Sequence, residues 1–410
     1  MKIAQINMTH KGSTGKIMLQ IADIARSAGH EVHTHAPMVF SRIEKQQPLR
    51  AENHFTWGTE FENAAHYYAG SILGQNGRFS HIGTKQLIHK LKTFQPDVIH
   101  LHNLHRFCIN LPMLFRYIKK ERIKVIWTLH DCWAFTGHCP YFTMCACEKW
   151  KTGCYQCPQH RIYPKSYIDD SRRMYRLKQK WFLGVEDMTL ITPSDWLAAL
   201  AKQSFLKDYP VKVINNGIDL EIFQPTASDF RTRYGIQDDK FIVLGIAFGW
   251  GKRKGLDVFI ELSKRLNKQK YQLVLVGTDA NTDQHLPDNV ISIHRTHNQT
   301  ELAEIYTTAD VFANPTREEN YPTVNMEAIA CGTPVVTFRT GGSPEILNQT
   351  CGSVVDCDDV DAMEREIIRI CETKVFTKDM CAERAKAFDA KLCFEKYVQL
   401  YRSIYEDNKK

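Results

Sequence analysis

The chain has 410 residues, 43% of them hydrophobic, and a formal net charge of +7. This length exceeds one ordinary domain and favours two domains of about 200 residues each. The charge is uneven: residues 1–224 hold 29 Lys and Arg against 18 Asp and Glu, and residues 225–410 hold 24 against 28. No apolar run reaches the roughly 18 residues that span a bilayer, and the start lacks a signal-peptide hydrophobic region. We therefore expect a soluble, cytoplasmic protein whose basic first half meets an anionic surface or ligand; ordinary solvated charge is the alternative.

Short β-rich runs alternate with helical patterns along the whole chain. In the first half the predicted strands are KIAQIN, EVHTHA, DVIHLH, KVIWTLH, MTLITP and VKVINN, with a helix from about Thr14 to Ser27 after the first of them. After a linker at Gln224–Asp229 the pattern restarts with FIVLGIAF, YQLVLVG, VISIH, VFANP and PVVTF. This alternation predicts an α/β protein with two Rossmann-like, doubly wound domains. We place them at residues 1–224 and 225–385 and expect a helix at 386–410 to pack back on the first domain.

Ligands of open parallel sheets bind beyond the carboxyl ends of the strands, so the residues that follow each strand are candidates for a site. The stretch HKGSTGKI follows the first strand. It is not a P-loop, because His10 stands where that motif needs its first glycine and Ile17 stands where it needs a hydroxyl. What remains is a glycine-rich turn between a strand and a helix, in which Gly12 and Gly15 let backbone amides face an anion.

The string NPTREENYPTVNMEAIACGTPVV begins at Asn314, after a strand of the second half. Its Glu319 and Glu327 are separated by seven residues, and carboxylates accept hydrogen bonds from sugar or ribose hydroxyls. Together with TGGSPEI, INNGIDLEIF and the RKG of Arg253–Gly255, the string resembles the Glu-x7-Glu motif of glycosyltransferase family 4. These are retaining enzymes with two Rossmann-like domains facing across a cleft, the GT-B fold, and the resemblance is to the bacterial polysaccharide-biosynthesis type. For Glu327 alone, the preference of helix N-termini for acidic residues is a structural alternative.

The resemblance implies a role for each matched residue. Glu327 would bind the ribose of a nucleotide-sugar donor, and Glu319 would hold hydroxyls of the donated sugar. Arg253 and Lys254 would neutralise the diphosphate leaving group, so that catalysis needs no metal. Further contacts to sugar and phosphates would come from Gly12, Gly15, Tyr321, Thr323 and Val324. The chain departs from the family pattern at Pro322, where a glycine is usual, and at Gly249, where an arginine is usual.

Histidines follow two strands of the first half. His130, in TLHD, resembles the family's histidine beside the donor sugar. His100, His102 and His105, in HLHNLH, are expected to pack or to contact the acceptor rather than to bind a metal. The Asp-x-Asp of Asp356–Asp358 is the metal motif of another glycosyltransferase fold, but its place before a helix favours capping.

Six cysteines lie in an insertion at about 132–160. Disulfides are rare in the cytosol, so two interpretations remain open. One is a structural zinc site with ligands among Cys139, Cys145, Cys147, Cys154 and Cys157, although no standard finger spacing fits. The other is a set of packed free thiols. In either case the aromatic segment after His130 is expected to shape the acceptor site.

These features predict a retaining, metal-independent hexosyltransferase without a cofactor. It would move a sugar from a nucleotide-sugar donor to a saccharide or lipid-linked saccharide acceptor in surface polysaccharide biosynthesis. We expect a peripheral association with the inner face of the plasma membrane, through anionic lipid, and no nucleic-acid partner. A GT-B nucleotide-sugar epimerase and a non-catalytic sugar-nucleotide-binding module are the alternatives, and the intact Glu319, Glu327, Arg253 and Lys254 argue against the second.

Overall fold

The computed structural model describes residues 1–38, 53–105 and 107–406. The chain divides into two compact units. Unit 1 comprises Met1–Asn215 and the chain from Phe394 onward, and unit 2 comprises Asn216–Cys393.

Unit 1 contains a parallel sheet whose strand order, within the described ranges, is β3-β2-β1-β4-β5-β6-β7. The strands are β1 (Lys2–Ile6), β2 (Glu31–Pro37), β3 (His54–Trp57), β4 (Val98–Leu101), β5 (Lys124–Thr128), β6 (Met188–Thr192) and β7 (Val211–Val213). The central strands are buried along almost their whole length, as is usual where helices cover both faces of a sheet. The order reverses between the paired strands β1 and β4, which is the switch point where such sheets bind ligands.

The helices of unit 1 before its C-terminal segment connect these strands. They are α1 (Gly12–Ser27), α2 (Glu60–Leu73), α3 (His81–Phe94), α4 (Leu111–Glu121), α5 (Ser171–Phe182) and α6 (Asp195–Ala201). Helix α1 shows why such segments are helical: Ile17, Ile21 and Ala25 recur every four residues and are buried on one face. Between β5 and α5 the chain is irregular apart from two short 3-10 turns, Trp133–Phe135 and Lys149–Lys151.

Unit 2 repeats the architecture with a parallel sheet of order β10-β9-β8-β11-β12-β13. Its strands are β8 (Phe241–Ile246), β9 (Tyr271–Val276), β10 (Val290–Ile293), β11 (Val311–Asn314), β12 (Val335–Phe338) and β13 (Gly352–Val355). Its helices are α7 (Phe230–Arg233), α8 (Leu256–Arg265), α9 (Ala280–Asp283), α10 (Gln299–Thr308), α11 (Thr323–Ala330), α12 (Ser343–Ile346), α13 (Val360–Thr373) and α14 (Lys378–Ala385). Here the strand order reverses between β8 and β11. The two sheets confirm the predicted doubly wound α/β domains, each taken by itself.

The last helix, α15 (Ala390–Glu406), begins in unit 2 and continues in unit 1. Its Tyr397 and Tyr401 are buried within unit 1. The Tyr401 hydroxyl lies 2.6 Å from Nδ1 of His100 and accepts a hydrogen bond from Nε2 of Gln5 at 3.3 Å. The sheet of unit 1 is thus covered in part by the C-terminal end of the chain.

The units divide at Asn215–Asn216 rather than at the predicted residue 224. Ile218 and Phe223 are buried in the core of unit 2, so the predicted linker Gln224–Asp229 lies inside that unit. The helix predicted at 386–410 begins at Ala390, after a 3-10 turn at Lys386–Phe388, and residues 407–410 lie outside the described residues. Within the described ranges, we find no helix whose length and apolar character would let it cross a bilayer.

Candidate active site

Two loops of unit 2 meet at its switch point. The first follows β8 and contains the 3-10 turn Lys252–Lys254, and the second connects β11 to α11. Gly255 ends the turn with a φ of 76°, and a Cβ added there would lie 2.4 Å from the carbonyl oxygen of Pro315. The Arg317 amide donates to the Arg253 carbonyl at 2.9 Å. Only glycine at position 255 allows the two loops to lie this close.

Lys254 and Glu319, which come from these two loops, form an ion pair. Both side chains are about four-fifths buried, with 18% and 20% of their surface exposed. Burial alone would raise the pKa of the Glu319 carboxyl, but the Lys254 charge and hydrogen bond and the Arg253 charge outweigh it, so this pKa lies below its usual value. The Arg253 guanidinium also donates to the Glu318 carbonyl at 3.1 Å. The site therefore holds an ionised carboxylate beside two cationic side chains.

A third loop, between β12 and α12, contacts the backbone of Glu319 and Asn320. The Gly342 amide donates to the Asn320 carbonyl at 2.7 Å. Gly341 has a φ of 54°, and a Cβ added there would lie 1.7 Å from the Glu319 carbonyl oxygen. The close backbone approach to the Glu319 loop thus explains Gly341 as a glycine, and the Gly342 amide adds a hydrogen bond to the same loop.

Arg317 anchors the same loop and was not singled out from the sequence. Its side chain is 9% exposed. Its guanidinium donates to both carboxylate oxygens of Asp257, at 2.7 and 2.8 Å, and to Asp358 at 2.6 Å. It also donates to the Lys252 carbonyl. Arg317 therefore ties the loop after β11 to the turn after β8.

The Asp-x-Asp at 356–358 does not cap a helix, so that prediction was wrong. Asp358 pairs with Arg317, and Asp356 accepts from Arg339 at 3.0 Å. The cap of α13 is the next residue, Asp359, whose carboxylate accepts from the Ala362 amide at 2.8 Å. Both acids of the motif are thus held by arginines.

Helix α11 carries the remaining predicted residues of unit 2. Pro322 precedes it, and Thr323 and Val324 are its first two residues, whose amides have no acceptor within the helix. Glu327 lies one turn further on and accepts a hydrogen bond from the Tyr306 hydroxyl at 3.1 Å. Tyr321 is buried, and its ring packs edge-on against Phe388. Glu319 and Glu327 therefore flank the start of one helix, and each has a partner that orients it.

In unit 1 the GSTG stretch is not a loop. Gly12, Ser13, Thr14 and Gly15 form the first turn of α1, so the predicted start near Thr14 was two residues late. A Cβ added at Gly15 would lie 2.3 Å from the carbonyl carbon of His10, which explains the second glycine by close packing. No acidic residue stands in this first turn. Helix α1 thus presents its amino end at the switch point of unit 1.

His130 lies just beyond β5 and contacts a second histidine. Its Nε2 is 3.1 Å from Nδ1 of His102, and the two rings are nearly parallel. Burial lowers the pKa of His130 to about 4, although the charge of Asp131 opposes this shift. His130 is therefore a neutral imidazole at neutral pH.

The other histidines of this region are held by polar partners. His100 lies 2.8 Å from the Thr128 hydroxyl, in addition to its bond with Tyr401. Nε2 of His105 lies 2.9 Å from Asp131. Among the described residues, no three or more His, Cys, Asp or Glu side chains are grouped so as to hold a metal ion.

Four cysteines of the cysteine-rich segment lie close together, and none of them forms a disulfide. Cys139, Cys147, Cys154 and Cys157 line one small cavity with Phe142 and Trp150. The Cys139 thiol is hydrogen-bonded to the Cys157 sulfur, and the Gly137 amide donates to the Cys154 sulfur at 3.1 Å. Cys145 lies outside this cavity lining and accepts from Gln159. These contacts are compatible with free thiols, and a zinc site at this cavity stays a prediction; among the described residues, no group of three or more His, Cys, Asp or Glu side chains has the spacing to hold a metal ion.

Two family models match the chain, one on each unit. The model described as Glycosyltransferase Family 4 matches residues 15–222, and that described as Glycosyl transferases group 1 matches residues 239–373. The chain belongs to glycosyltransferase family 4. The predicted family membership is confirmed, and this family 4 protein is a glycosyltransferase.

Curated relatives of this family 4 protein carry transferase names. The Escherichia coli (strain K12) protein named as the colanic acid biosynthesis glycosyl transferase WcaC is 24% identical over 330 residues, which cover 76% of this chain and 78% of WcaC. A GDP-mannose-dependent phosphatidylinositol monomannoside mannosyltransferase of Mycolicibacterium smegmatis is 34% identical over 167 residues, 36% of this chain and 43% of that protein.

Solved structures similar to this family 4 protein share its fold over almost the entire chain. Sucrose-phosphate synthase of Thermosynechococcus elongatus has a TM-score of 0.69 at 18% identity and covers 99% of both chains. Anabaena HepE, solved in complex with UDP-glucose, has a TM-score of 0.65 at 15% identity, with 98% of this chain and 99% of HepE covered. At these identities the likeness establishes the GT-B fold and nothing finer.

Proposed function

We propose that this protein is a retaining glycosyltransferase. It moves a sugar from a nucleotide-sugar donor to a hydroxyl of a saccharide or lipid-linked saccharide acceptor, in the biosynthesis of a surface polysaccharide. The names of relatives support this assignment: HepE was solved with UDP-glucose, and WcaC is named for colanic acid biosynthesis.

The observation that carries the proposal is the ion pair of Lys254 with Glu319, beside Arg253, at the carboxyl edge of β8 and β11. This edge is where doubly wound sheets bind nucleotides. A sugar diphosphate presents hydroxyls and negative charge next to each other. An ionised carboxylate beside two cations matches both features, with Glu319 on the sugar hydroxyls and Lys254 and Arg253 on the diphosphate.

The chemical step places its developing charge on the diphosphate. The acceptor hydroxyl oxygen attacks the anomeric carbon on the face from which the diphosphate leaves, so the anomeric configuration is retained. The bond between the anomeric carbon and the phosphate oxygen breaks, and the hydroxyl proton passes to the departing phosphate. Negative charge on the leaving group is greatest in the transition state, where fixed cations and amides stabilise it most. Arg253, Lys254 and the Thr323 and Val324 amides have this role, and no catalytic metal is required.

The remaining predicted residues bind and orient the donor. Glu327, held by Tyr306, binds the ribose hydroxyls. The backbone of Tyr321 contacts the sugar. In unit 1, the amino end of α1 at Gly12 and Gly15 offers backbone amides to the donor. Because His130 is neutral, its proposed contact with the sugar is a hydrogen bond rather than a charge interaction.

The proposed test begins with the donor. Purified protein is screened by thermal shift against UDP-, GDP- and ADP-sugars, each with and without EDTA. A ligand that binds only the folded state raises the melting temperature, and we expect one nucleotide class to do so regardless of EDTA. The donor found in this way is then incubated with acceptors, and proton NMR of the first product is expected to show the anomeric configuration of the donor.

Glu319→Gln keeps the shape of the side chain and removes its charge. We expect it to lower kcat by about 100-fold, the order seen when one electrostatic contact to a transition state is lost. The control is Glu221→Gln, which breaks the exposed ion pair of Glu221 with Lys391, also in unit 2, and should leave kcat unchanged. Conversion of the donor without an acceptor would replace the proposal by an epimerase, and donor binding without turnover with any acceptor would replace it by a binding module.

A further inference from the structure

Helix α2 of unit 1 exposes an apolar face. Its inner side is buried through residues such as His66 and Gly70. Its outer side carries Phe61, Tyr68 and Ile72, which are 84%, 59% and 52% exposed. These positions, seven and four residues apart, form one stripe along the helix. The outer face of a surface helix is normally polar, so this stripe needs an explanation.

The apolar surface continues onto a neighbouring loop. The Tyr167 amide donates to the Ser71 carbonyl at 2.8 Å, and the Ile168 amide donates to the Ile72 carbonyl at 3.3 Å. These bonds hold the loop against the last turn of α2. Tyr167 and Ile168 are themselves 61% and 52% exposed. We call the surface formed by Phe61, Tyr68, Ile72, Tyr167 and Ile168 the α2 patch.

Positive charge borders the α2 patch at its loop end. The Lys165 ammonium lies 5.3 Å from the centre of the Tyr167 ring. Helix α5 begins next to the patch, since a Cβ added at Gly74 would lie 2.5 Å from the Ile168 carbonyl oxygen and 3.1 Å from the Asp170 amide nitrogen. Residues 161–180 contain seven Lys and Arg against two Asp, and Arg172 and Arg173 in the first turn of α5 are exposed.

The acidic residues near the patch are largely occupied. Asp170 accepts from the Gln75 side chain at 2.9 Å, and Asp169 accepts from the Cys157 amide at 2.7 Å. At the opposite end of α2, Glu62 binds the amides of Ile82 and Gly83, and Glu60 is exposed. The loop end of the patch therefore has a clear positive balance.

The combination of features fits the surface of a lipid bilayer. Aliphatic and phenyl side chains enter the acyl boundary, tyrosines favour the interface between acyl chains and water, and adjacent cations bind anionic headgroups. A second copy of the chain is the alternative occupant, and the oligomeric state in solution distinguishes it from a bilayer.

We propose that the α2 patch docks unit 1 on the surface of a bilayer that contains anionic phospholipid. Phe61, Tyr68, Ile72, Tyr167 and Ile168 enter the interface, and Lys165, Arg172 and Arg173 contact the headgroups. Docking does not require the proposed transfer reaction, but it would bring the enzyme to a lipid-linked acceptor. The proposal assigns docking to one defined surface, whereas the net charge of residues 1–224 did not indicate which surface meets the membrane.

The test is flotation of the full-length protein with vesicles of phosphatidylcholine alone or mixed with phosphatidylglycerol, at low and high salt. We expect binding to the anionic vesicles that weakens as salt rises. Phe61→Ser and Ile168→Ser should each weaken binding by about tenfold, the order expected for the loss of one large apolar side chain from the interface. Lys165→Ser should weaken it by roughly fivefold, since one basic residue near an anionic surface contributes about that factor.

The matched control is Leu392→Ser in unit 2, which removes a 58% exposed leucine outside both the patch and the donor-site loops and should leave flotation unchanged. The donor-induced thermal shift of each variant shows whether it remains folded. A patch variant that keeps its donor-induced thermal shift but no longer floats with vesicles supports docking. Wild-type protein that floats with anionic vesicles but shows no thermal shift with any donor counts against the transferase proposal and not against docking. Equal binding to both vesicle types, wild-type flotation of Phe61→Ser, or a solution dimer that Phe61→Ser dissociates would each overturn the proposal.

Discussion

At the scale of single residues, Arg317 joins the two loops of the candidate donor site. It belongs to the loop that supplies Glu319, and it bonds to Asp257, to Asp358 and to the Lys252 carbonyl in the turn that supplies Lys254. A buried guanidinium must have such partners, because an unpaired buried charge is costly. The pairs therefore fix the relative position of the loops before any ligand binds.

We expect Arg317→Met to lower the free energy of unfolding of unit 2 by roughly 2 kcal/mol, because it removes a buried guanidinium and its charge-assisted hydrogen bonds to the half-exposed Asp257 and Asp358. The measurement is urea unfolding followed by far-UV circular dichroism. Arg339→Met is the matched control: Arg339 binds Asp356 of the same motif, but it is 61% exposed, so its loss should cost about 1 kcal/mol or less. Equal costs for the two variants would contradict the role given to Arg317.

The sequence predicted part of this site and not the rest, for a physical reason. Arg253, Lys254 and Glu319 could be assigned because each follows a strand in a recognisable string. The ion pair of Lys254 with Glu319 and the bonds of Arg317 join positions far apart in the chain, and they form only because β8 and β11 are neighbours in the sheet. A local sequence pattern does not indicate the order of strands in a sheet, so these contacts between distant residues could not be predicted from the sequence.

At the scale of elements, the loop Thr340–Gly342 is a support for Glu319, and its glycine can be tested directly. We expect Gly341→Ala to displace the Glu319 backbone, because the new Cβ would overlap the Glu319 carbonyl oxygen. Donor affinity and kcat should both fall, by about tenfold or more, since small displacements of a catalytic contact are costly. Steady-state kinetics of transfer measure both effects.

The control for this variant is Gly249→Ala. Gly249 also has a positive φ, of 81°, but a Cβ there would meet nothing within 4 Å. Both substitutions therefore carry the backbone cost of about 1 kcal/mol for a left-handed residue, and only Gly341→Ala adds the clash. If the two variants lose donor affinity and kcat to the same extent, the close approach of the Thr340–Gly342 loop to Glu319 does not contribute to activity.

Strands and helices with a clear pattern of apolar residues were predicted correctly, and those without one were missed. The long apolar runs, such as FIVLGIAF and YQLVLVG, became the central strands β8 and β9. The strands β3 and β13 were missed: each is four residues long, lies at the edge of its sheet and is only partly buried, so neither has a clear apolar run. The first turn of α1 was missed because glycine disfavours helices, whereas here it is required for contact with His10.

At the scale of the whole molecule, the two units differ in their histidines. Burial lowers the pKa of His35, His66 and His100 to about 3, and that of His54 and His138 to about 4. All of these lie in unit 1. The histidines described in unit 2, which are His285, His294 and His297, are exposed. Acidification should therefore act on the two units differently.

We expect unit 1 to lose stability as the pH falls from about 6.5 towards 4. In this window the unfolded chain binds protons at these histidines and the folded unit does not, so protonation favours unfolding. Each of the deeply buried histidines lowers the free energy of unfolding by roughly 1 kcal/mol for every tenfold rise in proton concentration across this window, and the half-buried His54 lowers it by less.

Tryptophan fluorescence reports this transition, because Trp250 alone of the seven tryptophans lies in unit 2. Thermal melts at pH 7, 6 and 5 should show the fluorescence midpoint falling faster than the midpoint of the far-UV circular dichroism signal, to which unit 2 also contributes. Trp250→Phe should leave the fluorescence midpoint unchanged, and a midpoint that is equal at pH 7 and pH 5 would contradict the neutral, buried state of these histidines.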